Sequence, residues 1–137
     1  MLESIRKGDF LETAEYSGNM YGTSKRVVKA IQEQGKVCLL EIDTQGVRQV
    51  KQMTDFNPLY VFVKPPSMDD LEERLRARGT ETEESLQTRL AAARHEIEYG
   101  EQPGNFDTVI VNDDFPRAYK QLRTAVMPLF ADLMSDK

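Results

Sequence analysis

The chain lacks the features of several protein classes. It has a single cysteine, Cys38, and a single histidine, His95, in 137 residues. One cysteine cannot form an internal disulfide and fits a reducing compartment, where we expect it to be a small buried strand residue. His95 has no second metal ligand at a useful spacing, so no structural metal is predicted. Residues 1–10 mix acid, base and glycine where a signal peptide needs an apolar stretch, and we expect a cytoplasmic protein.

Long apolar runs and an excess of positive charge are also missing. No run approaches the roughly 20 residues of a membrane span. The formal charge of −5 argues against nucleic acid or an anionic membrane as partner. The composition, with 39% hydrophobic and 30% charged residues, is typical of one soluble globular domain. A local group of arginines could still bind a polyanionic small molecule.

Three short apolar runs predict strands buried on both faces. They are VCLLEID (residues 37–43), LYVFV (59–63) and TVIVN (108–112). Such runs are typical of a parallel sheet, and the helical patterns that separate them predict an α/β layered fold. The segment GDFLETAEYSG alternates two faces of mixed polarity, which predicts an extended strand outside the main core. The next residues, within EYSGNMYGTS (15–24), have the composition of a small neutral loop.

Two adjacent helical patterns predict a helical hairpin. The first covers residues 69–78. The second begins near Thr80, which forms a capping-box signature with Glu83, and it carries one apolar stripe. The stripe consists of Leu86, Leu90, Ala93 and Ile97.

Three arginines on this hairpin form a candidate site. Arg74 and Arg78 lie four residues apart on one helix face, and Arg89 projects from the second helix. Like charges at this spacing disfavour a helix slightly. They can be a solvated face balanced by Glu72, Glu73, Glu83 and Glu84. Because guanidinium groups stay charged and bind phosphate in a bidentate manner, they can also close over a polyphosphate.

Four motifs in order along the chain resemble the guanylate kinase family. They are GDFLETAEYSGNMYGTS, LLEIDTQGV, VKPPSMDDLEERLRARGTETEESLQTRLAAA and FDTVIVNDD, and the resemblance extends from Gly8 to the end. It implies the parallel sheet of a P-loop nucleoside monophosphate kinase, flanked by helices, with GMP-binding strands and a helical lid. It also implies transfer of the γ-phosphoryl group of ATP to GMP with Mg²⁺, in a monomeric enzyme. The phosphate-clamp interpretation of the arginines is then favoured.

The resemblance assigns residues to GMP. Glu12 would accept hydrogen bonds from the guanine N1–H and 2-amino groups, and Thr23 would contact the guanine edge. Tyr21 would contact the GMP phosphate, while Gly18 and Gly22 let the backbone approach the ligand. Without the other motifs, the same segment could be a tyrosine-bearing turn before a helix.

The resemblance also assigns residues to ATP and to phosphoryl transfer. Asp43 would belong to the Mg²⁺ and phosphate end of the site and would contact the ion through water. Glu41 would lie near GMP, although it could instead cap the next helix. The remaining roles are a lid that contacts phosphate (Arg74, Arg78 and Arg89), a position near the ATP adenine (Asn112), and caps of the last helix (Asp113 and Asp114).

The expected domain is single and has four parts. They are a GMP-binding part (8–24), core strands (37–63), a lid hairpin (68–100) and a C-terminal core (105–137). The family's phosphate-loop pattern, G-x-x-x-x-G-K-[ST], does not occur in the chain, nor does the first central strand. We therefore expect the C-terminal larger part of a guanylate kinase, of marginal stability and prone to self-association. ADP formation should be negligible, and rates of roughly 1–100 s⁻¹ would contradict this.

Two other functions fit parts of the pattern. Guanylate-kinase-like modules of scaffold proteins bind phosphorylated peptides and tend to lose both the phosphate loop and the lid arginines, of which this chain retains the arginines. Adenylate and uridylate kinases share the chemistry, yet Glu12, Tyr21 and Thr23 favour guanine. Binding of GMP but not of a phosphopeptide would support the enzyme lineage, and selectivity for AMP over GMP would reverse the assignment of guanine.

Overall fold

The computed structural model describes residues 10–16, 19–54 and 56–135. The strands are β1 (Phe10–Tyr16), β2 (Asn19–Ser24), β3 (Val61–Lys64) and β4 (Thr108–Val111). The helices are α1 (Lys25–Glu33), α2 (Thr44–Lys51), α3 (Met68–Arg78), α4 (Glu83–Glu101) and α5 (Phe115–Ser135). Elements of both kinds alternate along the chain, as the sequence predicted. The chain divides into two compact units, one of residues 1–58 with 129–137 and one of residues 59–128.

The first unit is built on an antiparallel pair of strands. β1 pairs with β2 from Glu12 opposite Thr23 to Tyr16 opposite Asn19, which confirms the predicted extended strand. Residues 19–24 form a strand where we expected a loop, because β1 supplies hydrogen-bonding partners along that length. α2 packs on β1, and α1 lies against β2. The buried apolar side chains of these two helices are Val28, Val47 and Val50.

The prediction of a strand at residues 37–43 is wrong. This segment belongs to no strand, and no described segment pairs with it. Leu39 is 85% exposed and Cys38 is partly exposed rather than buried. A run of apolar residues indicates a tendency to be buried, but a strand also needs a neighbour that satisfies its backbone groups.

The second unit contains a parallel pair of strands. β3 and β4 pair from Val61 opposite Thr108 to Lys64 opposite Val111, which confirms the strands predicted at 59–63 and 108–112. Ile110 is almost fully buried, with 1% exposure. Helix α4 lies so close to β3 that a Cβ atom placed on Gly100 would be 2.4 Å from the ring of Phe62. The parallel pairing was predicted, but Val63 and Val109 are 52% and 42% exposed, so the predicted burial of these strands on both faces is wrong.

Helices α3 and α4 form the predicted hairpin. Leu75, Leu86 and Leu90 are the buried side chains between them. The turn after α3 uses Gly79, whose positive φ of 67° suits glycine. The predicted capping box is wrong, because the N-cap of α4 is Thr82, whose side chain accepts from the backbone N–H of Ser85. Since two threonines precede this helix, the sequence pattern alone selected the wrong one.

Candidate functional site

A buried carboxylate lies at the centre of the first candidate site. The register of β1 and β2 places Glu12 opposite Thr23, and the Thr23 hydroxyl donates a 2.7 Å hydrogen bond to Oε1 of Glu12. Glu12 is only 7% exposed. A carboxylate removed from water needs hydrogen-bond donors, and Thr23 supplies one. The pair thus presents an acceptor and a hydroxyl side by side.

The first turn of α2 lies against the same carboxylate. A Cβ atom placed on Gly46 would be 3.1 Å from Oε2 of Glu12 and 3.1 Å from Cβ of Ile42. The backbone N–H of Gly46 donates to Oδ1 of Asp43 at 2.9 Å, so Asp43 is the N-cap of this helix. The partial positive charge of a helix N-terminus favours a nearby carboxylate. Gly46 therefore helps to define the environment of Glu12, and Asp43 caps the turn in which Gly46 lies.

The other residues predicted to contact GMP have less defined positions. Gly22 and Glu41 are both exposed. Glu41 does not cap the following helix, because Asp43 does. The backbone of Tyr21 pairs with Ala14 in the sheet, while its side chain and Gly18 lie outside the described part of the structure. The structure thus brings Glu12 and Thr23 together and leaves the contribution of Tyr21 a prediction.

In the second unit, Arg74 joins the hairpin to the end of β4. Its Nη2 donates to the backbone carbonyl oxygen of Asn112 at 2.9 Å. The backbone N–H of Asn112 in turn donates to the carbonyl of Lys64 at 2.8 Å. Both the backbone N–H and the backbone carbonyl of Asn112, the residue predicted near adenine, are therefore hydrogen-bonded within its own unit. This contact explains how one predicted lid arginine is positioned, whereas the sequence showed only its helix face.

The other two predicted lid arginines differ in their surroundings. Arg78 is exposed, and no described residue forms an ion pair with it. The Nε of Arg89 lies 2.6 Å from Oε1 of Glu81, a carboxylate whose side chain is only 14% exposed. Sequence reasoning missed Glu81, because it precedes the helix and no helix-face pattern links it to Arg89.

The glutamates of the hairpin pair with an arginine that the sequence analysis did not single out. Arg76 donates from Nη1 and Nη2 to the two oxygens of Glu83, at 2.9 and 3.0 Å, and from Nη2 to Glu72 at 2.9 Å. The hydrogen bonds from Arg76 and Gln87 hold the pKa of Glu83 below its ordinary value. The predicted balance of charge by Glu72 and Glu83 thus exists, but it serves Arg76 rather than Arg74 or Arg78.

The last predicted caps lie at the start of α5. The carbonyl of Asp114 accepts from the backbone N–H of Ala118 at 2.9 Å. The carboxylate of Asp113 accepts from Arg117 and from the backbone N–H of Asp114, and these bonds hold its pKa below the ordinary value. Asp114 thus takes part through its backbone, and capping of this helix by the two carboxylates stays a prediction.

The described residues contain neither a metal-binding cluster nor a membrane-spanning helix. Within ranges 10–16, 19–54 and 56–135, no three histidine, cysteine or acidic residues are grouped so as to hold a metal ion. In the same part of the chain, no helix has the length and apolar character needed to cross a membrane.

Comparison with known proteins gives a consistent result. The family model described as guanylate kinase matches residues 1–128. A guanylate kinase of Sus scrofa is 53% identical over 126 residues, which are 92% of this chain and 63% of that protein. A guanylate kinase of Schizosaccharomyces pombe is 54% identical over 118 residues, or 86% of this chain and 58% of that protein.

A solved structure agrees with these relatives. The crystal structure of guanylate kinase from Anaplasma phagocytophilum superimposes with a TM-score of 0.70 at 28% identity, covering 93% of this chain and 59% of that one. The chain thus spans about 58–63% of the length of the curated relatives named above.

Proposed function

The chain belongs to the guanylate kinase family, and from this premise we propose that its residues bind GMP and ATP for transfer of the γ-phosphoryl group, although the 137 residues alone, which lack the phosphate-loop pattern, should form negligible ADP. The observation that supports the substrate most directly is the buried Glu12 with its hydrogen bond from Thr23. The relatives named above are all called guanylate kinases, which favours an enzyme over a protein-binding module.

Recognition of guanine follows from the chemistry of Glu12. Guanine presents two donors on adjacent atoms, the N1–H and the 2-amino group, and an ionised carboxylate offers acceptors alone. Adenine presents an acceptor at N1, which a carboxylate would face with its own lone pairs. Since an unmatched buried polar group costs about 1–3 kcal/mol, this contact can discriminate between the two bases. Thr23 orients the carboxylate by occupying Oε1.

The arginines of the hairpin would stabilise the phosphoryl group during transfer. We assign this role to Arg74, Arg78 and Arg89 because charge spreads over the equatorial oxygens of the transferred group. Arginine offers a planar fork that matches those oxygens and does not lose its charge. Asn112, whose backbone is bound to Arg74, would lie near the adenine of ATP.

The expected Mg²⁺ would be held mainly by the phosphate groups of the substrate and not by protein side chains. Mg²⁺ would neutralise phosphate charge, and Asp43 is the residue assigned to it through water. Oδ1 of Asp43 already caps α2, and the described residues hold no group of three metal-binding side chains. This agrees with an ion held chiefly by phosphate oxygens and water, as is common for Mg²⁺. The proposal also includes a monomeric state and a cytoplasmic location.

Nucleotide binding tests the proposal. Calorimetric titration of the 137-residue chain with GMP and with AMP should show a preference for GMP of at least about tenfold. The variant Glu12→Ala should bind GMP roughly 5-fold to 150-fold more weakly and should therefore lose most of that preference. Glu33→Ala, at an exposed position of α1, is the control and should retain the preference. Equal affinity for both nucleotides, or an unchanged preference in the Glu12 variant, would overturn the proposal.

A further inference from the structure

We propose that Glu81 is a positioning residue for Arg89, holding its guanidinium in place before phosphate binds. The inference rests on the proposed function, in which Arg89 contacts the transferred phosphoryl group. Nothing in the sequence pattern assigns a role to Glu81, which lies in the short turn between α3 and α4.

Each oxygen of the Glu81 carboxylate has a partner. Its Oε1 lies 2.6 Å from Nε of Arg89, and its Oε2 accepts a 2.7 Å hydrogen bond from the hydroxyl of Ser85. Because both oxygens have partners, the carboxylate has little freedom to rotate. A short charge-assisted contact of this kind is stronger than a neutral hydrogen bond.

The local structure fixes this carboxylate at the beginning of α4. Thr82 is the N-cap, and its side chain accepts from the backbone N–H of Ser85. The Ser85 hydroxyl also contacts the carbonyl of Thr82 at 3.0 Å. Ser85 and Arg89 are four residues apart and share one face of α4, while Glu81 precedes Ser85 by four residues in the turn before the helix. The negative charge of Glu81 also suits the positive end of the helix.

The exposure of Glu81 separates it from the other acids in ion pairs of this unit. Its side chain is 14% exposed, whereas those of Glu72, Glu83, Glu101 and Asp113 are 36–64% exposed. Exposed pairs contribute little, since water and salt screen them and the side chains lose freedom. The pair of Glu81 with Arg89 is partly shielded from water and is therefore the one suited to hold a defined geometry.

The contact with Glu81 is made at Nε of Arg89, which explains how it can assist phosphate binding. A carboxylate at Nε occupies the side edge of the planar guanidinium, while the end of the group carries the two terminal nitrogens. Phosphate would be contacted by that end. An arginine that is already ordered loses less conformational freedom when the ligand arrives. Simple electrostatics gives the opposite effect, because a negative charge near the site disfavours an anion. The sign of the effect thus distinguishes the two roles.

The first experiment tests the contact without a ligand. Side-chain ¹H–¹⁵N NMR of the 137-residue chain should show the Nε–H of Arg89 shifted and protected from exchange with water. Glu81→Ala should remove both properties, and Ser85→Ala should weaken them. Glu84→Ala is the control, because it removes the same charge from an exposed position in the first turn of α4. An unprotected Nε–H in the unaltered chain would overturn the inference.

The second experiment measures binding of inorganic tripolyphosphate by calorimetry. Glu81→Ala should weaken binding by roughly threefold to tenfold, within the range of coupling between side chains in contact. Glu84→Ala should leave binding unchanged or slightly tighter. In an Arg89→Lys background, Glu81→Ala should no longer weaken binding, because lysine has no Nε–H to hold. Tighter binding by Glu81→Ala, the same loss in both backgrounds, or no binding by the unaltered chain would overturn the positioning role.

Failure of this inference and failure of the proposed function give different results. The preference for GMP over AMP depends on Glu12, which lies in the other unit and is not altered by these variants. A chain that prefers GMP but fails the Arg89 measurements would retain its proposed substrate and lose the role of Glu81. A chain that passes the Nε–H measurement but shows no preference for GMP would lose the proposed substrate instead.

Discussion

Thr23 and Glu12 face each other across the antiparallel strands of the first unit, and the threonine hydroxyl donates to the carboxylate at 2.7 Å. The two residues are eleven positions apart, so the contact depends on the register of the strands. The hydrogen bond satisfies one carboxylate oxygen of a residue that is only 7% exposed. Four predictions concern this contact, the helix beside it and the packing of the second unit.

Thr23→Val should weaken GMP binding, because valine keeps the shape of threonine and removes the hydroxyl. A hydrogen bond of this kind contributes about 0.5–1.5 kcal/mol, so the dissociation constant for GMP should rise roughly 2-fold to 12-fold. Thr23→Ser retains the hydroxyl and serves as the control. Calorimetric titration with GMP provides the measurement, and equal affinities for the two variants would show that the hydroxyl does not matter.

Gly46→Ala should lower GMP affinity by disturbing Glu12. The added methyl group would lie 3.1 Å from Oε2 of Glu12, closer than ordinary contacts allow. Alanine is otherwise favoured over glycine in a helix by up to about 1 kcal/mol, so helix propensity alone predicts no loss. Gln45→Ala, at the exposed neighbouring position, is the control. Unchanged GMP binding by the Gly46 variant, measured by titration, would contradict the close approach of α2.

Asp43 should show two separable roles. Asp43→Ala removes the N-cap of α2 and should reduce the free energy of unfolding by about 1 kcal/mol. Asp43→Asn retains a capping side chain, so its stability in urea should match that of the unaltered chain. If Asp43 also acts on Mg²⁺, Asp43→Asn should reduce the effect of Mg²⁺ on ATP affinity. Equal stability of all three proteins would exclude the cap as a stabilising contact.

Gly100→Ala should destabilise the second unit. The new Cβ would lie 2.4 Å from the Phe62 ring, and overpacking of this kind costs about 1–3 kcal/mol. Phe62 has little room to move, since its ring centroid lies 5.0 Å from that of Phe106. The midpoint of thermal unfolding, followed by circular dichroism, should therefore fall. A midpoint equal to or above that of the unaltered chain would mean that helix propensity outweighs the contact.

Much of the second unit could be predicted from its residues. The apolar runs at 59–63 and 108–112 indicated β3 and β4, and the apolar stripe with Leu86 and Leu90 indicated α4. These patterns succeed because burial repeats at short, regular intervals along a chain. The same reasoning failed at residues 37–43, where burial was inferred but no described partner strand is present. The prediction of the N-cap of α4 also failed, because Thr80 and Thr82 are both residue types that cap helices.

The order of residues along the chain was sufficient to identify the family, the helices and three of the described strands, and it supplied the candidate site residues, including Glu12 and the predicted lid arginines. Local periodicity and motif order carry that information. The three-dimensional arrangement was needed to establish which groups meet: Thr23 with Glu12, Gly46 beside the same carboxylate, and Glu81 with Arg89. Such contacts depend on strand register and on helix caps, which bring together residues that sequence patterns treat separately.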